Sequence, residues 1–495
     1  MSDTGENIMP SRPRAAGEAR HRSRSRDDVL ANIVLAHLGA LIVGTSWAFG
    51  GQSPGARIWL LIWGTLGILL FFVAQARRAD DRPAPRFGAL RDLWPLVLFD
   101  LCVGASCLNP SFQTIFRDGL PYFILQDPPY RWLPSSARPE LTLRELWQFN
   151  GIVLSCYNAF LVLHSRRKLR QVLFVVALNA LVLAVFGTFQ KLVGAKGLWF
   201  GLVPSPQEHF FSTFVYHNHW GAFTVLNTAA CLGLFFHALR RGGYRDLWHS
   251  PVPAGALATL LLAVAVPLSA SRSSTALTCV LLGAATIHLL WRTIRRRREH
   301  HESALLPVAG ILLCVLLALA AIVYLGRDVI QQRARLTTEQ LARIRHEDTL
   351  NSRLTLYRDT WRMASLKPWF GWGLETYGDV FRVYNSQRAV EVWFGQPYYR
   401  EAHSDWLQAF AEVGAVGTAL LVLLGALPLR LVRWSKVESI LPGYLLAGCA
   451  LILLYAWVEF PFANPSVMIA FWTSLYVAAR YATLDLGAQS AENHA

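Results

Sequence analysis

Charge is scarce in this 495-residue chain: 16% of its residues are Asp, Glu, Lys or Arg, against 53% hydrophobic. A soluble domain carries roughly a quarter charged residues. The apolar residues also come in long blocks, which excludes a disordered chain and argues against two or three ordinary soluble domains. Zinc-ligand spacing is missing too. The seven cysteines form no CxxC pair and all lie inside apolar blocks, so they read as small buried hydrophobes. Internal repeats of roughly 20–50 residues are absent, which removes the solenoid folds. Inverted repeats of broken helices are absent as well, which weakens a transporter reading.

Twelve apolar segments of membrane-spanning character are present: about 30–49, 57–75, 93–108, 146–163, 170–193, 212–239, 252–269, 274–292, 304–325, 406–429, 440–458 and 464–479. Most reach the ~20 residues that a helix needs to cross hydrocarbon. Residues 1–29 are polar, with six arginines, and form a basic tail. The first apolar block is too long for a cleavable signal peptide, and no small-residue cleavage site follows it.

The net charge of +15 has the sign expected for nucleic-acid binding, but its distribution points to topology. Of 47 Lys and Arg residues, 27 fall in the tails and loops of one side and 8 in the short loops of the other. The remaining 12 lie in one long loop, 326–405, where such charges carry little topological weight. Both termini are therefore expected inside, with 109–145 and 326–405 outside. The run Arg295 to Arg298 is an anchor on the inner side, and no nucleic acid is expected as a partner. The sequence thus describes an all-α polytopic membrane protein with about 12 transmembrane helices and one large, mainly helical outer loop. Its parts are the tail 1–29, helices one to nine over 30–325, the loop 326–405, helices ten to twelve over 406–480, and the tail 481–495.

Within the long loop, Leu350, Leu354, Tyr357, Trp361 and Ala364 recur at helical spacing and predict one apolar stripe. Gly371-Trp372-Gly373 follows as a tight turn, since no strand precedes it to make a dinucleotide fingerprint. The loop closes on His403-Ser404-Asp405, where Ser404 or Asp405 can cap the next helix. His403 then stands at a helix start, where an imidazole can serve as a general base or as part of the turn. Between spans seven and eight, Ser271-Arg272-Ser273 sets an arginine among hydroxyls at the start of a helix. That is a plausible anion seat, or a rim arginine closing a hairpin. Asn218 and His219 open span six as amide and imidazole donors. His217 and His219 have no acidic or cysteine partner at ligand spacing, so no metal is expected. Asp100, His288 and Glu459 fall within or beside spans, where packing or helix–helix hydrogen bonds are the default. No outer segment is expected to carry an Asp-x-Asp pair or a carboxylate cluster, which disfavours a metal-dependent transferase using paired carboxylates.

These segments together resemble the O-antigen ligase and O-antigen polymerase superfamily of bacterial membrane glycosyltransferases. Ser271-Arg272-Ser273 resembles its Ser-Arg-Ser segment. Asn351-Ser352-Arg353 to Trp361, then Pro368 to Gly373, resembles its Arg…Trp…Pro-x-x-Gly-x-Gly stretch. Ala402-His403-Ser404 to Gln408, with Glu412-Val413-Gly414 and Gly417, resembles its His-Asn-x-x-Leu-Gln…Glu-x-Gly-x-x-Gly signature, with Ser404 in place of Asn. Thr213-Phe214 with Asn218-His219 resembles the opening of an earlier span.

The resemblance implies a bacterial inner-membrane enzyme with a periplasmic site and cytoplasmic termini. It implies a glycan donor on undecaprenyl diphosphate, and an acceptor hydroxyl on lipid A-core, on another glycan or on a protein. Arg272 and Arg353 would hold the diphosphate, and His403 would activate the acceptor or stabilise the leaving group. Asn218, His219, Ser271 and Ser273 would complete the substrate site, with no metal or cofactor. Two other readings are a protein O-oligosaccharyltransferase and, from a different class, a non-enzymatic transporter of lipid-linked glycan.

Overall fold

The computed structural model describes residues 14–81, 91–117, 120–207, 209–242, 249–317, 349–386, 399–430 and 439–492, with a few isolated positions between. It is helical almost throughout. In chain order the helices are α1 Arg14–Trp47, α2 Pro54–Asp81, α3 Trp94–Cys107, α4 Pro139–Val162, α5 Arg166–Leu192, α6 His217–Gly242, α7 Val252–Leu268 and α8 Arg272–Glu299. They continue with α9 Leu305–Leu317, then α10 Thr349–Ser365, α11 Tyr377–Tyr384, α12 Asp405–Arg430, α13 Leu441–Tyr455 and α14 Pro465–Glu492. One antiparallel hairpin, β1 Phe112–Arg117 with β2 Leu120–Leu125, pairs Phe112 with Leu125 and Arg117 with Leu120.

Each of the twelve apolar segments overlaps a helix among the described residues; of the ninth, 304–325, the structure describes a helix over Leu305–Leu317, and most of 318–325 lies outside the described residues. Among the described residues seven helices are long and apolar enough to cross a membrane, α6, α8 and α12 included. Four more, α3, α7, α9 and α13, are apolar but shorter. The main core joins α1, α4, α5, α6, α13 and α14 around Trp220, Phe223, Tyr157 and Tyr476. Helix–helix hydrogen bonds account for two of the three ionisable residues met in the spans. Asn150 donates to Asp100 Oδ1 at 2.9 Å, and His288 Nδ1 bonds Tyr444 Oη at 2.9 Å.

A second, smaller core lies over one end of the bundle and joins two segments distant in sequence. Phe112 and Ala137 pack with Leu356, Met363, Trp372, Tyr377 and Phe381. The Ala137 amide donates to the Trp372 carbonyl at 2.7 Å, and Arg138 meets Asp379 at 2.9 Å. Lys367 donates to Ser135 Oγ at 2.6 Å and lies 4.1 Å above the Trp372 ring. Burial lowers its ammonium to about 8. The described parts of the two loops, 109–145 and 349–386 with 399–405, therefore pack as one cap rather than two, while most of the rest of 326–405 lies outside the described residues.

The stripe expected on α10 is displaced. Its buried face is Leu356, Asp359, Thr360, Met363 and Ala364, whereas Leu354 and Trp361 are exposed. Polar anchoring sets the rotation. Asp359 Oδ2 accepts from the amide and hydroxyl of Ser386, and Thr360 shares a 2.7 Å bond with Tyr377 Oη.

The glycine motifs form a clasp. Helix α12 breaks at Gly414, with φ 65°, and the turn from Pro368 to Gly373 enters the break. Trp372 and Gly373 amides donate to the carbonyls of Ala411 and Glu412 at 3.0 and 2.8 Å. In return the Ala415 amide reaches the Pro368 carbonyl at 2.8 Å. A Cβ on Gly414 would lie 2.3 Å from the Trp369 carbonyl carbon, and one on Gly371 2.4 Å from that of Glu412. Only glycine admits that approach together with positive φ. The buried Glu412 carboxylate then accepts from the amides of Glu375 and Tyr377.

Candidate functional site

The site gathers around Glu459, on the turn between α13 and α14, whose carboxylate is only 6% exposed. Arg353, one turn into α10, places Nη2 3.4 Å from Glu459 Oε1. Tyr216 donates to Glu459 Oε2 at 3.4 Å, and His403 Nδ1 lies 3.9 Å from the same oxygen. A buried carboxylate needs such partners, because an uncompensated charge away from water is costly.

His403 is held in a strained conformation, with φ 52° on a non-glycine residue. Tyr357 Oη donates to its carbonyl at 2.9 Å, and its ring stands edge-on to Phe460 at 4.8 Å. Burial pushes the Tyr357 phenol above its usual range. The following residues divide the capping work. Ser404 Oγ accepts from the Leu407 amide at 3.4 Å, while Asp405 accepts from the Phe462 amide at 2.9 Å and ties α12 to the α13–α14 turn.

A relay runs from Glu459 to the start of α8. Tyr216 Oη accepts from Asn218 Nδ2 at 2.8 Å, and Asn218 Oδ1 accepts from Ser271 Oγ at 2.7 Å. Arg272 is the next residue, the first of α8. His219 Nε2 bonds the Phe460 carbonyl at 3.2 Å. His217 turns instead to the His209 carbonyl at 3.2 Å, so the two histidines do not point to one centre. Among the described residues no three His, Cys, Asp or Glu side chains are grouped to hold a metal ion. Ser273 is exposed on α8. The structure thus brings His403, Arg353, Asn218, His219 and Ser271 into one network beside Arg272.

A cavity of about 1310 Å³ opens at this network and is lined there by His403, Tyr216, His219 and Phe460. Its deeper wall is apolar, with Leu421, Leu429, Leu453, Met468, Phe471 and Trp472 from α12, α13 and α14.

Residues 257–422 match the family described as O-Antigen ligase. This match, over a third of the chain, supports the resemblance that its motifs carry to the O-antigen ligase and polymerase superfamily. No curated protein matches the chain. The matched stretch contains Arg272, Arg353, the glycine clasp and His403, and ends within α12. Asn218, His219 and Glu459 lie outside it and join the site only through folding.

Glu459 is the residue that sequence reasoning assigned to packing. An ionisable residue at the edge of a span is a functional candidate by default, and that signal was present. A carboxylate gathering was also missed, because its members are scattered. Glu145, Glu375, Glu401 and Glu412 come from α4, the clasp turn, the cap and α12, yet all line the cavity. Burial, then the charge of Glu375, raises Glu401 to about 7.

Proposed function

We propose that the chain is a membrane glycosyltransferase that moves a glycan from undecaprenyl diphosphate to an acceptor hydroxyl, as an O-antigen ligase or a surface-polysaccharide polymerase does. The site lies at the outer face of a bacterial inner membrane, with both termini cytoplasmic. The observation that carries the reading is the meeting of Arg353 and His403 on buried Glu459, at the polar mouth of a cavity whose depth is apolar. The apolar depth suits an isoprenoid tail, and Arg353, which shares Glu459 with the cavity-lining His403, suits a diphosphate. A glycan transporter would need a polar path through the membrane midplane, and the apolar deep wall supports transfer instead.

In this reading the acceptor oxygen attacks the anomeric carbon and the bond from that carbon to the diphosphate oxygen breaks. His403 takes the hydroxyl proton. Arg353 and Arg272 neutralise the departing diphosphate, which lets the step proceed without a metal ion. Glu459 holds Arg353 and faces His403 until the donor arrives, when the diphosphate becomes the better partner for the guanidinium. The strained backbone of His403 is consistent with a side chain fixed for a task.

The test compares His403→Ala and His403→Gln with the parent at equal protein in the membrane. Transfer should fall by about 10²–10⁴, the usual worth of a general base. Near-normal transfer in either variant would reduce His403 to a structural residue.

A further inference from the structure

Helix α3 is too short for the bilayer it would cross. Trp94–Cys107 has 14 residues. At about 1.5 Å per residue they reach about 21 Å, against a hydrocarbon layer of about 30 Å. One side of α3 is committed to protein, where Phe99 and Val103 pack with Leu146 of α4 and with Val413 and Leu420 of α12. The other side is a stripe of exposed apolar residues at helical spacing: Trp94, Leu98, Leu101 and, just past the helix end, Leu108. On a helix within a bilayer such a stripe faces lipid.

The apolar surface does not stop with the helix. Buried Asn109 pins the following chain back onto the end of α3. Its Nδ2 donates to the carbonyls of Tyr130 and Pro134 at 2.8 and 3.0 Å, and its Oδ1 accepts from the Tyr130 amide at 3.1 Å. Gln126 fastens the base of the β1–β2 hairpin in the same way. Its amide donates to the Ser111 carbonyl at 3.0 Å and its Nε2 to that of Pro110 at 3.3 Å. Phe112 of β1 is buried in the cap core, which fixes the hairpin further. Beside these anchors Leu125, Tyr130 and Leu133 are exposed, and Phe116 and Trp132 are each 76% exposed. An exposed ion pair, Arg131 with Asp127 at 2.6 Å, borders them. Large apolar side chains gathered on a segment held this firmly mark an interaction surface. Trp and Tyr beside charged groups are what a membrane–water interface selects, and the long Arg131 side chain can keep its head in water there. The lipid-facing stripe that leads into this surface says what covers it.

We propose that the β1–β2 hairpin and the Tyr130–Leu133 turn form a membrane foot, seated in the headgroup layer of the bilayer on the cap's side. The partner is the lipid surface itself. The foot supplies the apolar area that α3 lacks by its length and holds that edge of the cap against the membrane. The sequence Arg117-Asp118 between the two strands is charged, which keeps the foot out of the hydrocarbon. The foot requires only that the helices cross a bilayer, whatever reaction the cavity performs.

The experiment uses the full chain in nanodiscs of phosphatidylethanolamine and phosphatidylglycerol, with the unburied Cys102, Cys107, Cys279 and Cys314 replaced by alanine. Trp132→Cys, Phe116→Cys and, as a reference within the lipid-facing stripe, Leu101→Cys each carry a bimane fluorophore. All three positions are exposed, so the substitutions spare the packing. The same chain with no introduced cysteine sets the background. Lipids with a nitroxide in the headgroup or deep in the acyl chain then report depth. The headgroup nitroxide should quench the labels at 132 and 116 by about twofold or more, and the deep nitroxide should quench them less. The deep nitroxide should quench the label at 101. Absence of headgroup quenching at either 132 or 116 overturns the proposal. Quenching by aqueous iodide in its place would put the surface in water, and protection from both quenchers would put it against protein, whether a second copy or another partner. No lipid quenching at 101 also overturns it, because α3 would then have no lipid-facing stripe to continue.

Discussion

Glu459 is the residue that ties the site together, because Arg353, Tyr216 and His403 all face its carboxylate. Glu459→Gln keeps the shape and removes the charge. Transfer should fall by about tenfold or more at equal protein, the worth of a hydrogen bond to a charged group. Transfer within twofold of the parent would make Glu459 a packing residue after all. Arg353→Lys keeps the charge but loses the planar fork, so transfer should also fall, and unchanged transfer would weaken the diphosphate assignment. His403, Arg353 and Arg272 were legible in the sequence because they stand in local motifs. Glu459 was not, because its partners come from α10 and from the residues just before α6 and α12, and nothing near Glu459 in the chain announces them.

The clasp between α12 and the Pro368–Gly373 turn is the element that positions His403, eleven residues before the helix break, and Glu375 beyond the turn. Gly414→Ala and Gly371→Ala each place a methyl group against opposing backbone at positive φ. Each should cost more than about 1 kcal/mol of stability, read as a lower thermal midpoint in detergent. Midpoints equal to the parent would contradict the close approach. The turn was readable from its glycines, but its partner was not, since a break within an apolar helix leaves no mark in hydropathy. The rotation of α10 was misread for a related reason. Hydrophobic spacing favoured Leu354 and Trp361, whereas buried Asp359 and Thr360, each hydrogen-bonded, decide the face.

At the scale of the whole molecule, the helical bundle was readable from composition, since among the described residues every apolar block overlaps a helix. The union of the two loops into one cap was not, because it depends on long-range contacts such as Arg138 with Asp379. The cap also carries a pH dependence. Glu401, facing Glu375, Arg400, Glu412 and Asp405, has its carboxyl raised to about 7, so the fold favours its protonated form. Its contribution to stability is therefore full below the unfolded carboxyl range and is lost as pH rises through about 7. The thermal midpoint should fall between about pH 5 and pH 8, and Glu401→Gln should flatten that fall. A midpoint that rises over this interval would contradict the assignment. Transfer should also survive chelation if, as proposed, arginines rather than a metal ion neutralise the leaving group. Activity lost in EDTA and restored by a divalent ion would overturn that step.

The central claim is that a diphosphate sits where Arg353, His403 and the Ser271-Arg272 turn come together. Its most direct test is a cryo-EM structure of the full chain with undecaprenyl diphosphate. The account predicts diphosphate density in contact with Arg353 and Arg272 at the cavity mouth, the lipid tail along α12 and α13, and the Arg353–Glu459 pair opened. Diphosphate bound away from both arginines, with that pair intact, would contradict it.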